Sequence, residues 1–166
     1  MFHTPTEPGT DRLVRNVDGS LLVGTNFVAQ LYYGADANSL RAVTAAPAHF
    51  KPPTTTQPGT WLGTTRMLEG VFPGQTVSMV VRVWDTDFGL TFDAAKAAGG
   101  AWGESAPFSY YINAVGPPAS VFLMENFRGF TLVPEPSAAL LLSVAVGSVL
   151  LLRLREKQCR PSRLEK

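Results

Sequence analysis

The sequence predicts a mostly β protein: a small antiparallel β-sandwich over residues 11–132, followed by a single C-terminal transmembrane helix. Three observations carry that prediction. Gly and Pro number 15 and 13 in 166 residues, which suits many turns and few long helices. Aliphatic and aromatic residues alternate with polar ones in short runs, the two-residue period of a half-buried strand. Finally, the stretch that opens at Ser137 and closes at Leu152 holds no charge and no Asn, Gln, His or Pro.

Residues 12–17 form the first candidate strand, closing on an Asp18-Gly19 turn, and 21–23 continue it. Residues 26–33 alternate more clearly. Phe27, Ala29, Leu31 and Tyr33 share one face, and Val28, Gln30 and Tyr32 the other. Gly34-Ala35-Asp36 ends that strand, and 40–44 form a short one. Residues 47–59, rich in Pro and Thr, read as a loop. Residues 64–72 form the next segment, before a Pro73-Gly74 turn. Residues 76–84 are the clearest strand, with Val77, Met79, Val81 and Val83 opposite Ser78, Val80, Arg82 and Trp84. Residues 91–98 break the pattern with helix formers, and Gly99-Gly100 stops them. Residues 106–114 return to β, with Phe108, Tyr110 and Ile112 on one side. Residues 121–132 hold one or two more strands, broken near Arg128-Gly129. Some seven or eight strands in a segment of this length suit a sandwich.

The charge total hides an asymmetry. Lys and Arg number 14 against 13 Asp and Glu, a net +1, which excludes a strongly basic nucleic-acid binder. Residues 153–166 hold six basic and two acidic groups, a net +4, and residues 1–152 are at −3. A helix over 137–152 rises about 24 Å, short of a bilayer core of about 30 Å. Arg153 and Arg155 can snorkel, Leu154 adds an apolar turn, and local thinning absorbs the rest. A buried core helix is the alternative, but only Ser143 and Ser148 interrupt the run, on different faces. Arg153, Arg155, Lys157, Arg160 and Arg163 put the C-terminus in the cytoplasm and the body outside.

Just before the apolar run stands Val133-Pro134-Glu135-Pro136. Two prolines one residue apart hold the chain extended, and Pro136 suits a first helical turn. This motif, a short apolar helix and an arginine-rich end together resemble the PEP-CTERM sorting signal of Gram-negative bacteria, here over residues 133–166. The logic is similar to that of the LPXTG signal of Gram-positive surface proteins. The resemblance implies that exosortase, a membrane-embedded protease or transpeptidase, is the partner. It also implies an inner-membrane intermediate, followed by a cell-surface or extracellular product. Such systems accompany exopolysaccharide production, so exopolysaccharide is a further expected partner. The body also resembles a recurring ectodomain of PEP-CTERM proteins from Verrucomicrobia-like bacteria. The matching segments are 24–34 (GTNFVAQLYYG), 81–85 (VRVWD) and Gly103-Glu104-Ser105. That likeness implies an exported β domain and no known activity.

An exported body calls for an N-terminal signal, and residues 1–10 have neither a basic nor an apolar region. We expect these ten residues to be a disordered or truncated end, with an upstream segment missing.

Catalytic chemistry is scarce. The single Cys, Cys159, lies in the tail, and the histidines, His3 and His49, stand apart from other ligand types. No metal site or cofactor is expected from this set. Asp85 and Asp87, with Asp18 and Asp93, offer calcium its oxygen ligands, but Asp85-Thr86-Asp87 at a strand end reads more simply as a turn. Glu69 and Glu104 are carboxylate candidates for glycoside hydrolysis by elimination alone. Trp84 and Tyr111 are the candidates for an exposed sugar-stacking surface. There is no phosphate loop, and no basic patch outside the tail, so nucleic acid is not an expected partner. The sequence therefore predicts a non-enzymatic envelope or matrix protein. The alternatives are a carbohydrate-binding module of the exopolysaccharide matrix and a permanently anchored single-pass membrane protein.

Overall fold

The computed structural model describes residues 11–63, 65–112, 124 and 126–133. Its elements in chain order are β1 (Phe27–Gly34), β2 (Arg41–Ala42), β3 (Ala48–His49), β4 (Thr76–Asp85), α1 (Phe92–Ala97), β5 (Trp102–Glu104) and β6 (Phe108–Tyr111). β4 is central because it is apolar on both sides: Val77, Val80, Val81, Val83 and Trp84 are all buried. It pairs antiparallel with the whole of β1, from Phe27 opposite Asp85 to Gly34 opposite Ser78. β2 and β3 share the free side of β1, and β5 and β6 share the free side of β4. Pro47 precedes β3 and Pro107 precedes β6. A proline has no N–H to give a ladder, so it suits the breaks between these short outer pieces. The result is one six-stranded antiparallel sheet.

The strands of the described residues thus make one sheet. The segments at 12–17 and 21–23 meet at a single bridge, Arg15 to Leu21. Residues 65–72 contain no strand, and near the end Thr131 bridges Arg15 and Val133 bridges Trp102. β3 falls where the sequence suggested a loop, and β5 where it suggested nothing. Two residues are too few to show a period, and Gly103 interrupts the apolar signal of β5.

The first face of the sheet presents Ala29, Leu31, Tyr33, Val77, Met79, Val81, Val83 and Phe108, as the alternation predicts. Irregular segments cover it, contributing Val14, Leu22, Phe50, Trp61, Phe127 and Leu132. Trp61 is fully buried, with the rings of Phe50 and Phe127 edge-on at 5.7 and 5.8 Å. These segments are tied by backbone bonds: Val14 N–H to Gly59 O (3.1 Å), Gly59 N–H to Leu22 O (2.8 Å) and Leu132 N–H to Arg15 O (2.9 Å). Gly59 has φ +77°, and a Cβ there would sit 3.0 Å from Leu13 Cβ, so the position favours glycine twice over.

The second face carries a smaller cluster of Val28, Trp84, Phe92 and Ala95, with Trp102 against it. α1 supplies the cover. Thr91 caps it by accepting from Ala94 N–H (3.2 Å), and Asp93 and Lys96 lie in its first and last turns. Gly99, at φ +82°, follows its end. Arg82 lies 4.4 Å from the Tyr32 ring centre and 4.8 Å from that of Phe92, and Lys96 lies 3.8 Å from that of Trp102.

The chain divides into two units, Met1–Pro134 and Glu135–Lys166. All described residues belong to the first. Pro134, Glu135, Pro136, the apolar run 137–152 and the basic tail lie outside the described residues. Among the described residues no helix is long and apolar enough to cross a membrane.

Candidate functional site

A half-open groove of about 540 Å³ lies where β1 ends beside the start of β4. Its apolar floor comes from Tyr33 and Val77, the terminal residues that β1 and β4 turn toward the main core. The loop between β3 and β4 forms one wall through Gly70, Val71 and Gln75, and β2 adds Arg41. The turn after β1 forms the rest. A Cβ on Gly34 would meet Ser39 O at 2.4 Å, so only glycine lets that turn fold back so closely.

Tyr33 holds the groove together. Its hydroxyl donates to Glu69 O (3.0 Å) and accepts from Glu69 N–H (2.9 Å), which pins the β3–β4 loop to the sheet. Arg41 stands opposite Tyr33 in the ladder. Its guanidinium lies 4.9 Å from the Tyr33 ring centre and donates to the same Glu69 carbonyl. The Glu69 carboxylate turns instead to Thr44, whose hydroxyl donates to Oε1 at 2.7 Å. Among the described residues, Arg41 therefore has no carboxylate partner. Gln75, which lines the groove, closes the Pro73-Gly74 turn by accepting from Phe72 N–H through Oε1 (2.8 Å), a bond that leaves its amide NH₂ unclaimed. Among the described residues no His, Cys, Asp or Glu lines the groove. It offers one positive charge, amide and hydroxyl groups and an apolar floor, a set suited to recognition.

The residues singled out from the sequence fall in different places. Trp84 faces the side of the sheet that the alternation assigned, opposite Val77 to Val83, but it is fully buried. Its role as a sugar-stacking residue is therefore corrected: α1 lies over it, Phe92 meets its ring at 6.2 Å, and its indole N–H donates to Gly89 O (3.1 Å). Tyr111 is 55% exposed and pairs with Thr76, a groove residue. Trp84 lies eight positions along β4 from Thr76, about 27 Å in an extended strand, so the two aromatics share no platform.

Asp85 is buried, and its Oδ1 accepts from Asn26 (3.1 Å) and from Asp87 N–H (3.0 Å), which is the side-chain turn rather than a calcium cage. Among the described residues no three His, Cys, Asp or Glu side chains come together as metal ligands. His49 Nδ1 lies 2.7 Å from Thr25 O. Glu104 pairs with Arg82 at 3.0 Å, and Glu69 with Thr44, so the two carboxylates are engaged separately. Val133, the first residue of the expected sorting motif, donates its N–H to Trp102 O at 2.6 Å.

Arg41 and Gln75 were not legible as site residues. Each belongs to an unremarkable stretch of sequence, and the loop that joins them to Tyr33 is closed by a tyrosine hydroxyl bonding to backbone, which leaves no residue-type signature. No protein-family model, no curated protein and no solved structure matches the chain.

Proposed function

We propose that the chain is a non-enzymatic exported cell-envelope or extracellular-matrix protein, processed by exosortase at a C-terminal PEP-CTERM signal. The observation that supports this reading is an order of features. Val133-Pro134-Glu135-Pro136 is followed by the uncharged run 137–152 and then by a tail of net +4. An uncharged run beside a basic flank is a membrane topology signal, and Glu135 stands between two prolines just ahead of it in sequence. A sandwich-like β body, a single transmembrane helix over 137–152 and a cytoplasmic C-terminus all belong to the same proposal. Leu132 is buried and Val133 is hydrogen-bonded to β5, so the folded body reaches the motif itself. Processing at the motif then frees an already folded domain. Tags at both ends of the chain in the native cells test this. The expected outcome is a shortened outer product that keeps the N-terminal tag and loses the C-terminal one. A full-length membrane form in cells with active exosortase would refute it and favour a permanent anchor.

A second reading, a carbohydrate-binding module of the exopolysaccharide matrix, is favoured by the groove with its apolar floor and, as a separate feature, by the exposed ring of Tyr111. Sugars bind to proteins by stacking on aromatic rings and by hydroxyl hydrogen bonds.

A further inference from the structure

We propose that the groove between the end of β1 and the β3–β4 loop binds a carboxylate-bearing sugar, a hexuronate, with the carboxylate on Arg41. The inference rests on the carbohydrate reading and names its ligand class and its site. Three observations carry it. First, the guanidinium of Arg41 is oriented before any ligand arrives: the Tyr33 ring lies against it at 4.9 Å and the Glu69 carbonyl takes one of its N–H groups. A planar guanidinium so held can still offer paired N–H groups to a carboxylate.

Second, no carboxylate among the described residues is bonded to this guanidinium. The Glu69 carboxylate is held by Thr44, and Asp36, beside Ala35 in the β1 turn, accepts from Asn38 N–H at 2.8 Å. Both acids lie near the groove, neither lines it, and Arg41 has no ion pair among the described residues. A neutral sugar could accept hydrogen bonds here but would leave the charge unpaired, whereas a carboxylate pairs it and an organic cation is repelled by it.

Third, the remaining lining suits a pyranose. Tyr33 and Val77 form the apolar floor, and Gln75, which carries an amide, is among the other lining residues. A volume of about 540 Å³ falls within the usual range for small-ligand sites and is generous for one sugar ring.

The test is affinity electrophoresis of the full chain in non-ionic detergent through gels containing polygalacturonate or neutral dextran. Wild type, Arg41→Gln and Tyr111→Ala are compared, with galacturonic acid as a competitor. Polygalacturonate should retard the wild type, and Arg41→Gln should bind about tenfold or more weakly, the usual effect of losing a hydrogen-bonded charge. Arg41→Lys, which keeps the charge and loses the fork, should recover part of the retardation. Thermal unfolding of each variant at the wild-type temperature separates lost binding from lost folding. Competition by the monomer shows that one ring is sufficient, and retardation without competition shows that the chain is required. Either outcome supports the site. Equal retardation of wild type and Arg41→Gln would overturn it. Retardation in dextran alone, lost in Tyr111→Ala, would overturn the groove assignment and leave the carbohydrate reading standing. No retardation in either gel would overturn both.

Discussion

The two faces of the sheet are covered by different means. On the first, distant segments of chain cross the strands, and Val14, Trp61 and Phe127 reach the same core from three such segments. On the second, a single six-residue helix supplies the cover, and charged side chains complete it by lying over aromatic rings. The first cover is built from long-range contacts and must form with the whole fold. The second is local in sequence, because α1 lies between the two strands, β4 and β5, that it covers. The difference predicts that damage on the first face is global and damage on the second is confined.

The largest effect is expected at Trp61. Its removal as Trp61→Ala leaves a cavity between Phe50 and Phe127 and should cost about 4–5 kcal/mol, a large share of the stability of a small domain. Loss of a cooperative unfolding transition, measured by circular dichroism, is the expected outcome. A variant that melts within a few degrees of wild type would break the contrast between the faces.

Phe92→Ala should cost less, about 3 kcal/mol, because its contacts are Trp84, Trp102 and the two cations above them. The fold should persist while tryptophan emission shifts to the red, as Trp84 loses its cover. An unshifted spectrum in a folded variant would show that something other than α1 buries Trp84.

The smallest effect sharpens the first face. Asp11 opens the segment that covers it, and the Leu13 backbone N–H, then the Arg15 side chain, hold its carboxyl below the ordinary value. Folding therefore favours the ionised form. That contribution is complete above the unfolded value near 3.9, and it is lost as pH falls through the lowered folded value. The pair is on the surface and screened, so the expected change is a modest steepening of acid unfolding. Melting temperatures of wild type and Asp11→Asn, followed from about pH 6 to pH 2, should converge at the acid end. Parallel curves would show that Asp11 does not hold this segment.

The same contrast separates what was legible in the sequence from what was not. The alternation in 26–33 and 76–84 assigned each side chain of β1 and β4 to its face, because a strand has a period that no environment alters. Helix α1 was legible through its alanines and the glycines after it. The second layer was read as further strands, since its apolar residues look the same in sequence whether they join ladders or single bridges. Trp84 was assigned to the right face and the wrong environment: periodicity gives direction and cannot say what lies above. Arg41 and Gln75 were missed because a groove is made by the approach of segments, and neither residue type marks it.

The sequence alone determined the antiparallel β body, the two faces of its central strands, and the uncharged run with its proline motif and basic flank. All of these are matters of local order, legible from periodicity, backbone restriction and charge. The tertiary structure decided which aromatic rings are hidden, which acids are already engaged, and where an arginine stands without a carboxylate partner among the described residues. Those depend on contacts between residues far apart in the chain, which local propensity does not specify.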